Sequence, residues 1–409
     1  MKLLLYSHSF APNVGGVETV VMSLARGLAE LRTVNNRPLF DLTVATETPA
    51  GDFDHTSLPF TVVRRPGVLA LRRLIGDADV IHLAGPVLLP LFLSRLARKP
   101  VALEHHGYQA ICPNGLLLHQ PDGSICPGHF QAGRYGKCVS CQAAQMSWFR
   151  SLMSVLLMFP RNALARRASR NLAISTHVLK RHNLPHSQVI YYGIDASSDA
   201  SSDASSDDCP EARAPADQTL SSPLKKVTFA YVGRLVPEKG LPVLLAATSI
   251  LHREGFDFAV LLVGDGPERA RLEATIAQTD LTDVVHITGF LRGDALTQML
   301  NGVGVVVMPS VWEETAGLAA IEHMMRGRLV IASKIGGLGE VVGDSGITCR
   351  PGDPEDLARC MKDVLQNPAN IVALGHHARE HAKSLFLRER MIADHHRIYQ
   401  EISVSNIRL

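Results

Sequence analysis

Short apolar runs alternate with amphipathic stretches along most of the chain, and this alternation starts twice. The first series extends from Lys2–Tyr6 to about Tyr192, and the second from Val227–Val232 to about residue 366. Strands that alternate with helices form parallel sheets covered on both faces, so each series predicts a doubly wound α/β domain. The chain of 409 residues is also too long for one ordinary core, because domains usually span roughly 100–200 residues.

Changes in composition mark the boundaries. We expect a first domain over 1–194, a linker over 195–223, a second domain over 224–384 and a terminal helix within 385–409, centred on Leu385–Ile402. The linker opens with a four-residue repeat of Asp, Ala and Ser, which cannot bury enough apolar surface to offset the entropy lost on ordering. We therefore predict a disordered insertion. A calcium loop is the alternative, but the repeat lacks the glycine turn and the terminal Glu of an EF-hand.

The overall composition narrows the class of protein. Hydrophobic residues make up 46% and charged residues 20% of the chain, as in soluble globular proteins. The formal net charge of +2 argues against a protein that binds nucleic acid through its charge. The seven cysteines, and a first apolar run too short for a secretory signal, favour a cytoplasmic location. No stretch reaches the roughly 18 apolar residues of a membrane span.

Two glutamates follow the strand predicted at Val303–Met308. Glu314 lies at the carboxyl end of this strand, where doubly wound sheets bind ligands, and Glu322 lies about two turns further along the next helix. The two carboxylates are placed to bind two parts of one extended polar ligand. The alternative is that Glu314 caps the helix and Glu322 is a solvated surface residue.

Glycine-rich loops follow several predicted strands of the second series. They are Gly233-Arg234-Leu235 with Lys239-Gly240, Gly264-Asp265-Gly266-Pro267, Gly289-Phe290, and Gly336-Gly337-Leu338-Gly339-Glu340. Together with Glu314 and Glu322, these loops resemble the retaining glycosyltransferases of family 4. The resemblance implies the GT-B architecture, an α/β fold in which two facing Rossmann-like doubly wound domains flank an interdomain cleft. It also implies that the first domain binds the acceptor and that the terminal helix crosses back to it.

The donor implied by this resemblance is a nucleotide-sugar, whose diphosphate gains negative charge as it leaves. Arg234 and Lys239 are the cations placed to neutralise that charge. The resemblance assigns Glu322 to the ribose hydroxyls and Glu314 to hydroxyls of the donor sugar. The other donor-binding positions that we expect are Gly15, Gly16, Gly264, Gly289, Gly317 and Leu318.

Two segments of the first domain also match the family. Asn13-Val14-Gly15-Gly16-Val17-Glu18 resembles its amino-terminal loop, where two glycines before a helix let the backbone approach an anion. In Pro100–Pro113, His106 takes the position of the family's histidine, and Gly107 replaces the Asp that usually follows. We expect His106 to act in catalysis, either by hydrogen-bonding the donor sugar or by helping to organise the reacting face. Asp77-Ala78-Asp79 precedes a strand, at the wrong end of the sheet for a ligand, so we predict a surface turn and no catalytic metal.

Four cysteines lie close together in the sequence of the first domain. They are Cys112, Cys126, Cys138 and Cys141, the last two forming a CxxC pair within the loop 112–141. Four thiolates suit a tetrahedral zinc ion that would hold this loop together. The long spacings are unlike a zinc ribbon, and free thiols or a disulfide are the alternatives. A structural zinc ion in this loop is the only candidate cofactor that we infer, and we expect the transfer reaction to require no cofactor.

An apolar stretch within 146–170 is followed by basic residues. Its large side chains include Trp148, Phe149 and Phe159, and the arginines end at Arg170. A helix of this composition can lie on an anionic membrane that carries a lipid-linked acceptor, at the inner face of the plasma membrane. The alternative is a helix that covers the core.

These observations predict a retaining, metal-independent hexosyltransferase. It would move a sugar from a UDP- or GDP-linked donor to a glycan, lipid-linked or small-molecule acceptor, in the synthesis of cell-surface polysaccharide or glycoconjugate. One alternative is a nucleotide-sugar epimerase or a phosphorylase of the same architecture. The other is a non-catalytic module that binds metal or acts in redox chemistry through the cysteine cluster.

Overall fold

The computed structural model describes residues 1–51, 53–120, 122–195 and 226–405. The chain divides into two units, one formed by Met1–Ile194 with Leu387–Leu409 and the other by Asp195–Phe386. The predicted linker at 195–223 lies outside the described residues except for Asp195, and so does Cys209.

The first unit contains a seven-stranded parallel sheet with helices on its faces. Its strands are β1 Lys2–Ser7, β2 Asp41–Thr46, β3 Thr61–Arg64, β4 Val80–Ala84, β5 Val101–His105, β6 Leu118–His119, β7 Ser124–Ile125, β8 Arg170–Ala173 and β9 Ser187–Val189. Its helices before the second unit are α1 Gly16–Glu30, α2 Val68–Asp77, α3 Leu88–Leu96, α4 Tyr135–Ala143, α5 Trp148–Ala165 and α6 Thr176–His182. The order in the sheet is β3-β2-β1-β4-β5-β8-β9, while β6 and β7 form a separate antiparallel hairpin.

The central strands of this sheet are covered on both sides. Leu3, Leu4 and Leu5 of β1 are at most 2% exposed although successive side chains of a strand point to opposite faces. A continuous apolar run therefore forms a central parallel strand, as the sequence predicts. The turn at Asp77-Ala78-Asp79 lies at the amino end of β4, where Asp79 Oδ2 accepts a hydrogen bond from the Lys2 amide at 2.7 Å.

The second unit contains a six-stranded parallel sheet. Its strands are β10 Val227–Val232, β11 Phe258–Val263, β12 Val285–Gly289, β13 Val305–Met308, β14 Leu329–Ser333 and β15 Ile347–Cys349. Its helices are α7 Leu241–Arg253, α8 Arg269–Gln278, α9 Gly293–Met299, α10 Leu318–Met325, α11 Gly336–Val342, α12 Pro354–Gln366 and α13 Asn370–Leu385, with short 3-10 helices at Pro237–Lys239 and Gly343–Ser345. The order β12-β11-β10-β13-β14-β15 reverses direction between β10 and β13.

The last helix, α14 Arg388–Ser405, belongs to the first unit. Arg390 donates a hydrogen bond to the Tyr191 carbonyl oxygen at 2.6 Å, and Tyr399 is fully buried. The sequence predicts this terminal helix over Leu385–Ile402. The structure ends α13 at Leu385 and begins α14 at Arg388, because the chain passes from one unit to the other between them. None of the helices in the described part of the chain is long and apolar enough to cross a membrane.

Candidate functional site

The loops at the carboxyl ends of β10 and β13 form the candidate site of the second unit. These strands are neighbours in the sheet, and the chain leaves them in opposite directions along it. Loops on the two sides of such a switch point diverge and leave a crevice, which is where open α/β sheets bind ligands. The loop after β10 carries Arg234 and Lys239, and the loop after β13 carries Glu314.

Lys239 and Glu314 meet directly across this switch point. Lys239 Nζ lies 2.9 Å from Glu314 Oε1, and Ser310 Oγ donates a short hydrogen bond to the same oxygen. The Glu314 side chain is 7% exposed and that of Lys239 is 22% exposed. The first predicted carboxylate is therefore a buried, paired group, and the alternative in which it caps α10 does not describe these contacts.

Arg234 differs from Lys239 in its exposure. Its side chain is 77% exposed, and its nearest acid is Glu238, with Nη2 3.9 Å from Oε1. The backbone beneath it is fixed, because Tyr231 donates a hydrogen bond from its hydroxyl to the Arg234 carbonyl oxygen at 2.7 Å. Because the backbone is held in place and the guanidinium is exposed, the Arg234 side chain can turn toward an anionic ligand and bind it.

Helix α10 begins directly after the β13 loop. Gly317 is the residue before it and has φ 64°, a conformation that favours glycine, and Leu318 is its first residue. Glu322 lies on the same helix and is mostly buried. Burial raises the pKa of its carboxyl, and the nearby Arg326 opposes this effect. Glu322 is thus not the solvated surface residue of the alternative interpretation.

Two of the predicted glycines allow the backbone of neighbouring loops to touch. A Cβ on Gly264 would lie 1.9 Å from the Gly233 carbonyl oxygen, so only glycine fits there. The Gly264 amide also donates a hydrogen bond to the Gly289 carbonyl oxygen at 2.9 Å. These contacts join the loops after β10, β11 and β12 at one edge of the sheet.

In the first unit, the predicted amino-terminal loop connects β1 to α1. Gly15 precedes the helix, Gly16 is its first residue, and Glu18 lies in its first turn. A Cβ on Gly15 would lie 2.5 Å from Glu18 Oε2, so the loop packs closely on that carboxylate. An acidic side chain in the first turn occupies the position where an anionic ligand would be favoured.

His106 is placed with both ring nitrogens facing partners inside the first unit. Nδ1 lies 2.6 Å from the Tyr192 hydroxyl, and Nε2 lies 3.4 Å from Glu104 Oε2. Its side chain is 5% exposed, and burial lowers its pKa, while the charge of Glu104 opposes this effect. The predicted contact of His106 with a donor sugar stays a prediction. The preceding His105 is buried as well, with Nε2 2.8 Å from Asn171 Oδ1.

Sequence reasoning missed the partners of His106. Glu104, His82, Tyr192 and His395 are buried polar side chains around it. Burial by itself would raise the pKa of Glu104, but the neighbouring imidazoles outweigh it and hold that pKa well below its usual range. A polar residue inside an otherwise apolar strand, such as His82 in β4, was the available signal.

The four cysteines of the loop 112–141 are all buried free thiols. Asn114 lies between two of them, with Oδ1 2.9 Å from Cys112 Sγ and Nδ2 3.6 Å from Cys141 Sγ. Burial raises the pKa of Cys138 to about 12. The zinc interpretation of these thiols stays a prediction, and the described structure has no disulfide among them.

Part of the chain is similar to a known protein family. Residues 213–384 match the family model described as "Glycosyl transferases group 1". This segment accounts for most of the second unit. Arg234, Lys239, Glu314 and Glu322 all lie within it.

The chain is also similar to curated glycosyltransferases over part of their length. A 2-deoxystreptamine glucosyltransferase of Streptomyces kanamyceticus is 41% identical over 147 residues, which span 36% of this chain and 38% of the relative. A D-inositol 3-phosphate glycosyltransferase of Saccharomonospora viridis is 35% identical over 185 residues, 42% of this chain and 43% of the relative. The matched stretches thus span less than half the length of these relatives.

Solved structures similar to this one extend over both units. HepE of Anabaena, crystallised in complex with UDP, has a TM-score of 0.68 and 18% identity, covering 98% of this chain and 100% of its own. A sucrose-phosphate synthase of Thermosynechococcus elongatus has a TM-score of 0.71 and 21% identity, covering 99% of each chain. The two units therefore have the GT-B fold class, with two Rossmann-like doubly wound domains, as predicted.

Proposed function

We propose that this protein is a retaining glycosyltransferase of family 4 that uses a nucleotide-sugar donor. The main support for this proposal is the ion pair between Lys239 and Glu314 at the switch point of the second unit, in the segment that matches the group 1 family model. The exposed Arg234 lies on the same loop as Lys239. Three charged groups at the carboxyl ends of adjacent strands form a site for a charged, hydroxyl-rich ligand.

The proposed chemistry follows from the charge that develops on the leaving diphosphate. Arg234 provides a planar fork of donors and Lys239 a compact charge, and both would stabilise the departing phosphates. Glu314 would bind hydroxyls of the donor sugar, and its Oε1 lies 2.9 Å from Lys239 Nζ, which holds Lys239 in place. Glu322, mostly buried on α10, would accept hydrogen bonds from the ribose hydroxyls.

For the stereochemistry, we propose that the acceptor hydroxyl attacks the donor sugar from its front face, the face from which the diphosphate leaves. The acceptor hydroxyl would lose its proton to the departing phosphate, which places nucleophile and leaving group on one face and retains the anomeric configuration. No metal ion takes part in this step, because Arg234 and Lys239 supply the positive charge. HepE has been crystallised with UDP and glucose, which supports a UDP-linked hexose as the first donor to test.

The acceptor side of the proposal rests on α5 in the first unit. Trp148 and Phe149 are 64% and 67% exposed, while Val155 and Met158 on the other side of the helix are buried. The helix therefore covers the core and also presents large apolar side chains to solvent. Such a surface, with exposed Arg150 beside it, suits an anionic membrane that holds a lipid-linked acceptor at the inner face of the plasma membrane.

Donor binding provides the experiment that tests the proposed function. Thermal shift and calorimetry would be run with UDP, GDP and their hexose conjugates on the wild type, on Arg234→Ala and on Arg271→Ala. Arg271 is the matched control, since it is an exposed arginine of the same unit (70%) on α8. We expect one nucleotide to bind the wild type and the control and to bind Arg234→Ala much more weakly. Equal binding to all three proteins, or none to any, would overturn the proposal.

A further inference from the structure

A cluster of three buried polar side chains lies inside the first unit and takes no part in the proposed transfer. His82 is on β4, Glu104 is on β5, and His395 is on α14, which returns from the end of the chain. Their relative exposures are 0%, 1% and 0%. Among the described residues, they form the group whose potential ligand atoms all lie within 4.8 Å of one another.

The two imidazoles approach the carboxylate from different sides. His82 Nε2 lies 3.2 Å from Glu104 Oε2, and His395 Nε2 lies 3.6 Å from Glu104 Oε1. Ligand atoms around a tetrahedral zinc ion, each about 2.0–2.1 Å from the metal, are separated by about 3.4 Å. The two nitrogen–oxygen distances in the cluster, 3.2 Å and 3.6 Å, lie on either side of this separation, and all the potential ligand atoms lie within 4.8 Å of one another.

The other ring nitrogens decide which way the protons point. His395 Nδ1 lies 2.8 Å from the Met391 carbonyl oxygen, and His82 Nδ1 lies 2.8 Å from the Tyr399 hydroxyl. A carbonyl oxygen only accepts, so Nδ1 of His395 carries a proton, and in the neutral form of the ring Nε2 presents a lone pair to Glu104. Histidines that ligate metals are held in the same way, with one nitrogen bonded to an oxygen and the other directed at the ion.

A lone pair that faces a carboxylate oxygen in a dry interior is unfavourable unless something positive lies between them. His82 Nε2 and His395 Nε2 lie 3.2 Å and 3.6 Å from the oxygens of Glu104, but none of these four atoms has a partner in good hydrogen-bond geometry. Four buried polar atoms directed at one place, without hydrogen bonds, indicate a ligand of opposite charge.

We propose that His82, Glu104 and His395 bind a divalent metal ion, zinc, inside the first unit. Two imidazoles and one carboxylate are a ligand set that zinc accepts. The ion would join the terminal helix α14 to the central strands β4 and β5, and so fix the end of the chain to the domain in which it packs. It would also hold Glu104, whose Oε2 lies 3.4 Å from His106 Nε2.

Metal content tests this proposal without any assay of transfer. The full chain would be purified without chelators, incubated with zinc, freed of excess by gel filtration and measured by mass spectrometry of the metal. Wild type, Glu104→Gln, His395→Gln and the control His182→Gln would be compared. His182 is a buried histidine of the same unit whose Nδ1 lies 2.9 Å from the Val178 carbonyl oxygen, outside the cluster. We expect wild type and control to retain one zinc ion more than the other two variants.

The four cysteines could also bind zinc, so cobalt is used to separate the two sites. Cobalt bound by the cluster gives visible d–d absorption without the near-ultraviolet charge-transfer band of a thiolate, and this absorption should persist in Cys138→Ser/Cys141→Ser. If Glu104→Gln or His395→Gln fails to fold, the cobalt spectrum of the wild type and of the cysteine variant decides. Equal zinc in every variant, or no metal absorption beyond that of thiolates, would overturn the proposal.

Discussion

Arg234 and Arg271 are both exposed arginines of the second unit, yet only Arg234 follows a strand at the switch point. We expect Arg234→Ala to lower kcat by roughly 100-fold or more, as removal of one stabilising donor does in other enzymes. Because the side chain is 77% exposed, the melting temperature should hardly change. Steady-state kinetics and thermal unfolding check this. Arg271→Ala should keep wild-type activity, and an active Arg234→Ala would contradict the assigned role.

The pair Lys239–Glu314 makes a second prediction at the scale of single residues. Glu314→Gln keeps the shape of the side chain but removes the charge that holds Lys239 at 2.9 Å. We expect transfer to fall by roughly 100-fold or more with the protein still folded. The rate of transfer and the circular dichroism spectrum are the measurements. Activity close to that of the wild type would show that the carboxylate does not act on the donor.

His182 predicts how the stability of the first unit depends on pH. Burial lowers its pKa to about 4, against about 6.5 in the unfolded chain. Its stabilising contribution is present above about pH 6.5 and is lost as pH falls toward the folded value, because the unfolded chain then binds the proton more tightly. Between about pH 8 and pH 5 the loss amounts to about 2 kcal/mol.

Urea unfolding at both pH values measures this effect. The decrease in the free energy of unfolding on acidification should be smaller in His182→Gln than in the wild type. His286→Gln, which changes an exposed histidine of β12, should behave as the wild type does. An identical pH dependence in all three proteins would exclude His182 as its source.

The strands were predictable from sequence because each central one is an apolar run covered on both faces. Helix α13 was not predicted, because Gly375 and several histidines interrupt its apolar pattern. The structure explains that glycine, since a Cβ there would lie 2.1 Å from the Gly327 carbonyl oxygen. The residue that weakens the helical pattern is the one that lets α13 approach the start of β14, and only tertiary contacts show this.

Gly264 makes a prediction at the level of the sheet edge. Gly264→Ala would place a Cβ 1.9 Å from the Gly233 carbonyl oxygen. Because this oxygen belongs to the backbone, it cannot move aside as a flexible side chain would. We expect a loss of about 3 kcal/mol in the free energy of unfolding and weaker nucleotide binding. Gly255→Ala is the control, because its φ of 83° carries the conformational cost but nothing lies within 4 Å of the new Cβ. Chemical denaturation of both variants should give clearly different midpoints.

Helix α5 predicts a reversible contact with membranes. Trp148→Ser/Phe149→Ser should abolish flotation with anionic vesicles at low salt, since these are its most exposed aromatic side chains. Val372→Ser/Leu374→Ser is the control, because it removes exposed apolar side chains from α13 in the other unit. Absence of the wild type from the vesicle fraction at low salt would contradict the membrane contact.

Across the whole molecule, the sequence predicted more of the second unit than of the first. The loops around Arg234, Gly264 and Glu314 are recognisable from short motifs, because the phosphate binding that we propose would require particular residues at the ends of strands. The cluster of His82, Glu104 and His395 joins residues separated by up to 313 positions in the chain. No local sequence pattern predicts that these three residues lie together, because only the packing of α14 against β4 and β5 brings them into contact.

The central claim is that sugar leaves a nucleotide donor only when an acceptor takes it. The most direct measurement is the release of nucleoside diphosphate from UDP- and GDP-hexoses, with and without acceptors. The acceptor panel would include lipid-linked glycans, aminocyclitols and inositol phosphates. The anomeric NMR signals of the product would then give its configuration. We expect at least one donor to release its nucleoside diphosphate only when an acceptor is present, and Glu314→Gln to lose this release. The product should keep the anomeric configuration of the donor. Equal turnover without acceptor, a requirement for inorganic phosphate, or an inverted product would contradict the claim.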